Sequence, residues 1–213
     1  MRGGDTNETL VILDGLPLYE PFHLRMLQSP SSLLDERIVD GLDIFAGGFT
    51  AEYGDRMSAI IDARTLRPAA DAYYELGLSL IHANALASHK FADGRGQCLT
   101  SSRRRNLDEV ADIMESEIGE SSYLDGFARV DYAWSPDTRG SLQTLLARDQ
   151  AEITNPAGTE HATAEYSNAY VWGTLAHDWS ARLATTAILS FTDVAAERKA
   201  AVDEPGKRTG AVD

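Results

Sequence analysis

Between residues 127 and 134 the chain alternates with a period of two. Ala128, Val130, Tyr132 and Trp134 fall on one side, Arg129 and Asp131 on the other. Such strict alternation is the pattern of an extended strand with one apolar and one polar face, not of an amphipathic helix. The same texture recurs beyond residue 67. Over residues 183–193, Leu183, Ala187, Leu189 and Phe191 oppose Thr186, Ser190 and Thr192. A partner strand is expected at 168–179, joined to it by a turn at Ser180-Ala181. Residues 140–152 make a less regular strand, because Leu145 and Leu146 lie on opposite faces. Ser135-Pro136-Asp137-Thr138-Arg139 reads as a short turn, with proline suited to its second position. Asn155-Pro156-Ala157-Gly158 opens a longer polar loop.

Two further segments carry specific expectations. In residues 73–90, Tyr74, Leu76, Leu78 and Leu80 share one phase, after which Ile81, Ala83 and Ala85 take the other. A phase flip predicts a bulge or tight reversal near Ile81. Asp93-Gly94-Arg95-Gly96 then turns the chain into a strand over 97–105. Residues 106–125 are acidic, with Asp108, Glu109, Asp112, Glu115, Glu117 and Glu120. Val110, Ile113, Met114 and Ile118 there have helical spacing, which makes a short amphipathic helix within a surface loop plausible. A solvated loop is the plainer reading, and a loop that contacts an external ligand the alternative. The tail from residue 195 reads as another loop.

Composition narrows the classes of function. The formal net charge is −14 and the pI about 4.7, which argues against a nucleic-acid partner, since phosphate binding needs clustered Lys and Arg. The one basic cluster, Arg103-Arg104-Arg105, is expected at a strand end or rim. Cys98 is the single cysteine, so no internal disulfide forms, and one thiol makes a poor metal site; a small buried or lipid-facing residue is expected. No apolar run approaches the roughly 18 residues of a spanning helix. That excludes a helical membrane protein but leaves open a barrel, whose strands alternate. In such a barrel a charge on the lipid side costs roughly 2–4 kcal/mol at mid-bilayer. The face with Arg129 and Asp131 would therefore point inward, where the two charges are placed to compensate each other. Trp134, Trp179, Tyr166 and Tyr170 would lie at or near strand ends, as an interfacial aromatic belt. Met1-Arg2-Gly3-Gly4-Asp5 has no apolar core and no cleavage site. Either the protein is cytosolic or its true start lies upstream.

The first 66 residues differ in texture. A Gly-rich stretch with Arg2, Gly3 and Gly4 feeds the apolar run Leu10-Val11-Ile12-Leu13, expected as a strand buried on both faces. Asp14-Gly15 is a tight-turn signal, and Leu16-Pro17-Leu18-Tyr19 returns as a second strand. A polar stretch at 21–32 precedes one or two helical turns over 33–38, and a strand follows at 39–45. A second punctuated segment contains Gly47, Gly48, Phe49, Glu52, Tyr53, Gly54 and Arg56 and leads into a strand at 59–65. Glu52 and Arg56 are spaced for an ion pair.

The run RGGDTNETLVILDGLPLYEPFHL resembles the central plug signature of TonB-dependent outer-membrane receptors. DIFAGGFTAEYGDRMSAIIDARTL resembles the end of the same plug, and the two lie in the family's order. The subgroup it looks closest to often carries an N-terminal carboxypeptidase-regulatory-like domain. The resemblance is strong for 1–66 and looser for 67–200, where a Gly-rich turn and a Ser-x-Arg-Arg strand end also match.

The resemblance implies a mainly β chain. A small α+β plug domain at 1–66, its N-terminal part missing, precedes residues 67–213, the first strands of a truncated transmembrane β-barrel. Roughly seven strands are expected from the alternation, out of the about 22 of such transporters. The plug-motif residues are Arg2, Gly3, Gly4, Asp14, Gly15, Pro17, Gly47, Gly48, Phe49, Glu52, Tyr53, Gly54 and Arg56, in structural roles; no ligand-contact residue is singled out. The family binds an extracellular nutrient (a siderophore, cobalamin, oligosaccharide or peptide) and imports it to the periplasm. The TonB complex supplies the energy through an N-terminal box not found in this chain. Implied partners are TonB, the nutrient and outer-membrane lipid, and no cofactor is expected.

Competing readings are weaker. Gly3-Gly4 and Gly47-Gly48 lack the Lys and helix of a phosphate loop. Asp14, Glu20 and His23 could be imagined as metal ligands, yet Asp14 is better explained by its turn and His23 by an exposed loop. No nucleophile elbow or metal motif supports a hydrolase, and no catalytic activity is expected. A non-transporting soluble or surface β-rich binding module would explain the alternation but not the paired motifs.

Overall fold

The computed structural model describes residues 9–23, 31–47, 59–79, 82–106, 118–154 and 160–202. The chain is mainly β, with a small sheet from its first third lying against one face of a seven-stranded sheet.

Four consecutive apolar residues define the small sheet. β1 (Thr9–Leu13) pairs antiparallel with β2 (Leu16–Leu18) and parallel with β6 (Ala59–Thr65), which pairs antiparallel with β5 (Val39–Phe45). As an interior strand of the order β2-β1-β6-β5, β1 is buried on both faces. Val11 and Leu13 join the main core, while Leu10 and Ile12 meet Ile60 in a second cluster. Asp14 and Gly15, with φ of 46° and 85°, make the tight turn between β1 and β2. Two consecutive positive φ values match the right-handed twist of a hairpin and favour Asp-Gly. Pro17, which has no N–H to offer, sits in β2 at the sheet edge. β3 (Phe22–His23) pairs with β4 (Ser31–Ser32) in a separate two-stranded ribbon.

The α component expected of this region has no counterpart among the described residues beyond one 3₁₀ turn, Glu36–Ile38. Asp35 caps it by accepting from the Arg37 N–H at 3.1 Å. The turn stays at three residues because Val39 is already extended and enters β5.

The large sheet is a meander in which each strand pairs antiparallel with the next. Its strands are β7 (Ala72–Leu78), β8 (His82–Phe91), β9 (Gly96–Asn106), β10 (Ile118–Ala133), β11 (Thr138–Thr154), β12 (Glu160–Ser180) and β13 (Leu183–Val202). The phase flip near Ile81 is a reversal: the Ser79 N–H donates to the His82 carbonyl at 2.8 Å, and two strands replace one. Turns β8–β9, β10–β11 and β12–β13 are short and all lie at one end of the sheet.

Three expectations fail here. Ile118 belongs to strand β10, not to a helix; Val110, Ile113 and Met114 lie outside the described residues. The tail expected as loop from residue 195 continues β13 to Val202. Its polar residues are held by the ladder to β12, with Arg198 Nε donating to the Tyr166 hydroxyl at 3.1 Å. Tyr166 and Tyr170 are not at strand ends but mid-strand and buried, at 2% and 0% exposure. Both fall on the β12 phase of Trp172, which faces the small sheet.

The two faces of the large sheet differ. On the covered face Leu86, Leu99, Phe127, Leu145, Ala147, Tyr170 and Trp172 form one core with Val11, Leu13, Leu16, Leu18, Leu33, Leu34, Ile38 and Ala63. On the open face Leu76, Leu142, Leu189 and Phe191 stand exposed.

Gly15 meets this wall directly, since a Cβ there would lie 2.8 Å from Ile188 Cδ1. Gly15→Ala should therefore destabilise the chain by at least the about 1–2 kcal/mol of a left-handed alanine, read as a shift in a chemical denaturation curve. A shift below about 0.5 kcal/mol, typical of an unconstrained surface site, would mean that the turn is not held in this conformation.

Candidate functional site

The covered face of the large sheet carries charge as well as apolar side chains, and that charge is answered at two places, one on the small sheet and one on the β3–β4 ribbon.

The first is the hairpin turn. Asp14 is fixed by β6, accepting from the Thr65 N–H at 3.1 Å and the Thr65 hydroxyl at 2.6 Å. Arg129 on β10, 3% exposed, donates from Nη1 to Asp14 Oδ2 at 2.5 Å and also to the Thr65 hydroxyl. Its other edge grips Asp131 two residues on, with Nε and Nη2 each 2.6 Å from a carboxylate oxygen. Such a fork-to-fork pair is the strong form of the interaction. The compensation expected of Arg129 and Asp131 is thus present, and Asp14 is the additional partner. Gln143 on β11 completes the group when its amide is oriented to suit its neighbours. Its nitrogen then donates to Asp14 Oδ2 at 2.8 Å, and its oxygen accepts from Trp172 Nε1 at 3.2 Å.

The second is His23, which the sequence suggested would lie in an exposed loop. It is completely buried. Its Nδ1 lies 2.5 Å from Asp149 Oδ1 on β11, and its Nε2 lies 3.0 Å from Asp125 Oδ2 on β10. The ring stacks on Tyr123 with centroids 3.9 Å apart and planes 7° from parallel. Arg103 on β9 sits over Tyr123 at 5.2 Å and donates from Nε to Asp125 at 2.9 Å. Its Nη2 donates to the Ser32 carbonyl at 2.6 Å, so it grips β4 as well. Burial opposes charge on His23, but hydrogen bonds to Asp125 and Asp149 and the two negative charges outweigh it and hold the imidazole above its ordinary pKa. Pro21 and the polar residues near it in sequence suggest a loop, but His23 lies in β3, pressed onto a wall that supplies two carboxylates.

Smaller contacts add to these. Arg37 Nη1 donates to Asn84 Oδ1 on β8 at 2.7 Å, and the Glu20 N–H donates to the Tyr170 hydroxyl at 3.2 Å. Asp14, Glu20 and His23 do not converge: the first and last serve separate networks. Among the described residues no group of three His, Cys, Asp or Glu is placed to hold a metal ion.

Of the motif residues, Asp14, Gly15 and Pro17 build the hairpin. Gly47 has φ of 142°, a conformation that favours glycine. Arg2, Gly3, Gly4, Gly48, Phe49, Glu52, Tyr53, Gly54 and Arg56, with the expected Glu52–Arg56 pair, lie outside the described residues. Thr65, Tyr123, Asp125, Gln143 and Asp149 were not singled out from sequence; Arg103 was, as part of a basic cluster at a strand end, and it does lie near the end of β9. One signal was available, since Asp125, Phe127 and Arg129 share a strand phase, and a phase mixing charge with bulky apolar groups marks a buried polar contact.

Breaking one side of a buried ion pair strands the other charge and costs about 3–5 kcal/mol. Arg129→Met should fall in that range by chemical denaturation. Combined with Asp14→Asn, the loss should be smaller than the sum of the single losses by about 0.5–3 kcal/mol, as for residues in direct contact. Strict additivity would show that the two are not energetically joined.

No family model and no curated protein matches this chain, so its resemblance to TonB-dependent receptors rests on the residues quoted for it.

Proposed function

We propose that this chain is part of a TonB-dependent outer-membrane receptor. In this reading the small sheet belongs to an α+β plug and the seven-stranded sheet to the wall of a transmembrane β-barrel. The receptor binds an extracellular nutrient of the siderophore, cobalamin, oligosaccharide or peptide class and imports it to the periplasm with energy from TonB. The plug motifs support the reading from the sequence side.

The observation that carries it is the open face of the large sheet. Cross-strand register aligns Thr100, Ala128, Thr144, Val171 and Phe191 in one row, and Cys98, Val130, Leu142, Gly173 and Leu189 in the next. A third row holds Gly96, Tyr132, Gly140, Leu175 and Ala187. Charge begins at one margin, where Arg104 and Arg148 flank Leu124, with Asp193 one row inside them. At the other margin stand the exposed rings of Trp134 and Trp179, beside the short turns. Leu124 to Trp134 is ten residue steps, about 34 Å along a strand. At a tilt of about 40° that spans roughly 26 Å, close to the apolar band of outer-membrane barrels with its aromatic girdle. In water the same face would be a large unexplained apolar patch.

Lipid and water give opposite results at this face. Leu142→Arg, mid-band, should cost about 2–4 kcal/mol if the face meets lipid, but should stay within about 0.5 kcal/mol if Leu142 is a water-exposed surface residue. Cys98 is a native probe in the same row. In membranes of the source cells it should resist a charged maleimide and react with an uncharged, lipid-soluble one. Full labelling by the charged reagent together with a neutral Leu142→Arg would remove the outer-membrane reading and favour a soluble β-rich module.

A further inference from the structure

The His23 site differs from the Arg129 site in one chemical respect: its cation can be discharged near neutral pH. Arginine keeps its proton throughout the physiological range, whereas an unperturbed histidine titrates near 6.5.

The groups facing His23 make its charge state decisive. β10 contributes Asp125 and Tyr123, β11 contributes Asp149, and β9 contributes Arg103, with Arg105 beside Tyr123 in the ladder. On β12, Tyr166 is the cross-strand partner of Asp149 and bonds Arg198. With His23 protonated, each imidazole N–H has its own carboxylate, Asp149 on Nδ1 and Asp125 on Nε2. A neutral imidazole carries only one N–H. Its other nitrogen would then present a lone pair to a carboxylate at hydrogen-bonding distance.

We propose that His23 is a proton-operated latch. Charged, it seats the β3–β4 ribbon and the following 3₁₀ turn on the wall; uncharged, it lets that segment open more often while the β1–β2 hairpin stays pinned by Arg129. The two parts can separate because they use different partners. The ribbon is tied through Asp125, Asp149 and Arg103, and the hairpin through Arg129, Thr65 and Gln143. Because the folded imidazole is held above its ordinary pKa, the extra seating is fully present below about pH 6.5. It is lost as pH rises through the folded value. The latch rests on the contact of the ribbon with the large sheet and not on the transport reading, so its test reads the same whether or not the large sheet meets lipid.

Hydrogen exchange on the full chain in detergent micelles, followed by peptide mass between pH 6 and 9 and corrected for the intrinsic rate, tests this. Opening of residues 20–23 and 31–38 should rise with pH by up to about tenfold per unit, the limit for one proton. Residues 9–18 should not change. His23→Gln should abolish the rise and fix the segment at its alkaline level. Asp149→Asn should move the rise to lower pH. Equal opening of residues 9–18, or a rise that persists in His23→Gln, would overturn the latch. Should neither variant fold, the imidazole of the unaltered chain decides by NMR: a midpoint above 6.5 supports the latch, and one below it refutes the latch.

Discussion

Charge that faces inward from a sheet must be met by something, and this requirement organises the molecule. Arg103, Asp125, Arg129 and Asp149 share the covered face of the large sheet with Phe127, Leu145 and Trp172. Left dry and unpaired, each such charge would cost several kcal/mol. The large sheet supplies part of the compensation itself, through Arg129 with Asp131 and Arg103 with Asp125. The small sheet and the β3–β4 ribbon supply the rest, with the carboxylate of Asp14 and the imidazole of His23. Docking is thus a condition for the covered face to exist in this form.

The apolar core and the polar ties divide the work. Burial of Leu13, Leu18, Leu33 and Ile38 against Leu86, Leu99 and Tyr170 supplies most of the drive to associate, but it is non-directional. The ties fix where the pieces sit. Asp14 can reach Arg129 only if the hairpin turn lies over β10 and β11, and His23 can meet two carboxylates only where Asp125 and Asp149 stand on neighbouring strands. Register enters at the same point. A slip of one residue between β10 and β11 would turn Asp149 to the open face and leave His23 a single partner.

Much of the architecture was legible because local signals were unambiguous. Four apolar residues before Asp14-Gly15 fixed an interior strand and its turn, and the flip at Ile81 marked the reversal between β7 and β8. The alternation in residues 127–134 put Arg129 and Val130 on opposite faces, as they stand in β10, one buried and one exposed. Its failures share a cause: they occur where a distant segment decides. The end of β13 looks like a loop because its polar residues leave the apolar band, yet the ladder to β12 continues. Tyr166 and Tyr170 resemble belt aromatics by type, but their phase puts them on the covered face of the large sheet, both buried. His23 resembles a loop histidine because its two partners lie more than a hundred residues away in sequence.

That last failure shows how the candidate site is built. Asp14 is chosen locally, by a turn that needs positive φ, and is then used at long range, because the same turn aims its carboxylate at Arg129. His23 has no comparable local reason. Its neighbours Pro21 and Phe22 set the ribbon, and nothing in the pairing of β3 with β4 requires an imidazole there. A residue whose identity is unexplained by its own element but which fills a gap between two carboxylates owes its identity to the partner surface. The hairpin would form its turn without the wall, whereas the ribbon draws stabilising charge from Asp125, Asp149 and Arg103 of the wall. Contact of the hairpin and the ribbon with the large sheet is therefore unequal: permanent in charge at Arg129 and conditional at His23. Any process that lifts them off the wall meets its weaker resistance at the ribbon first.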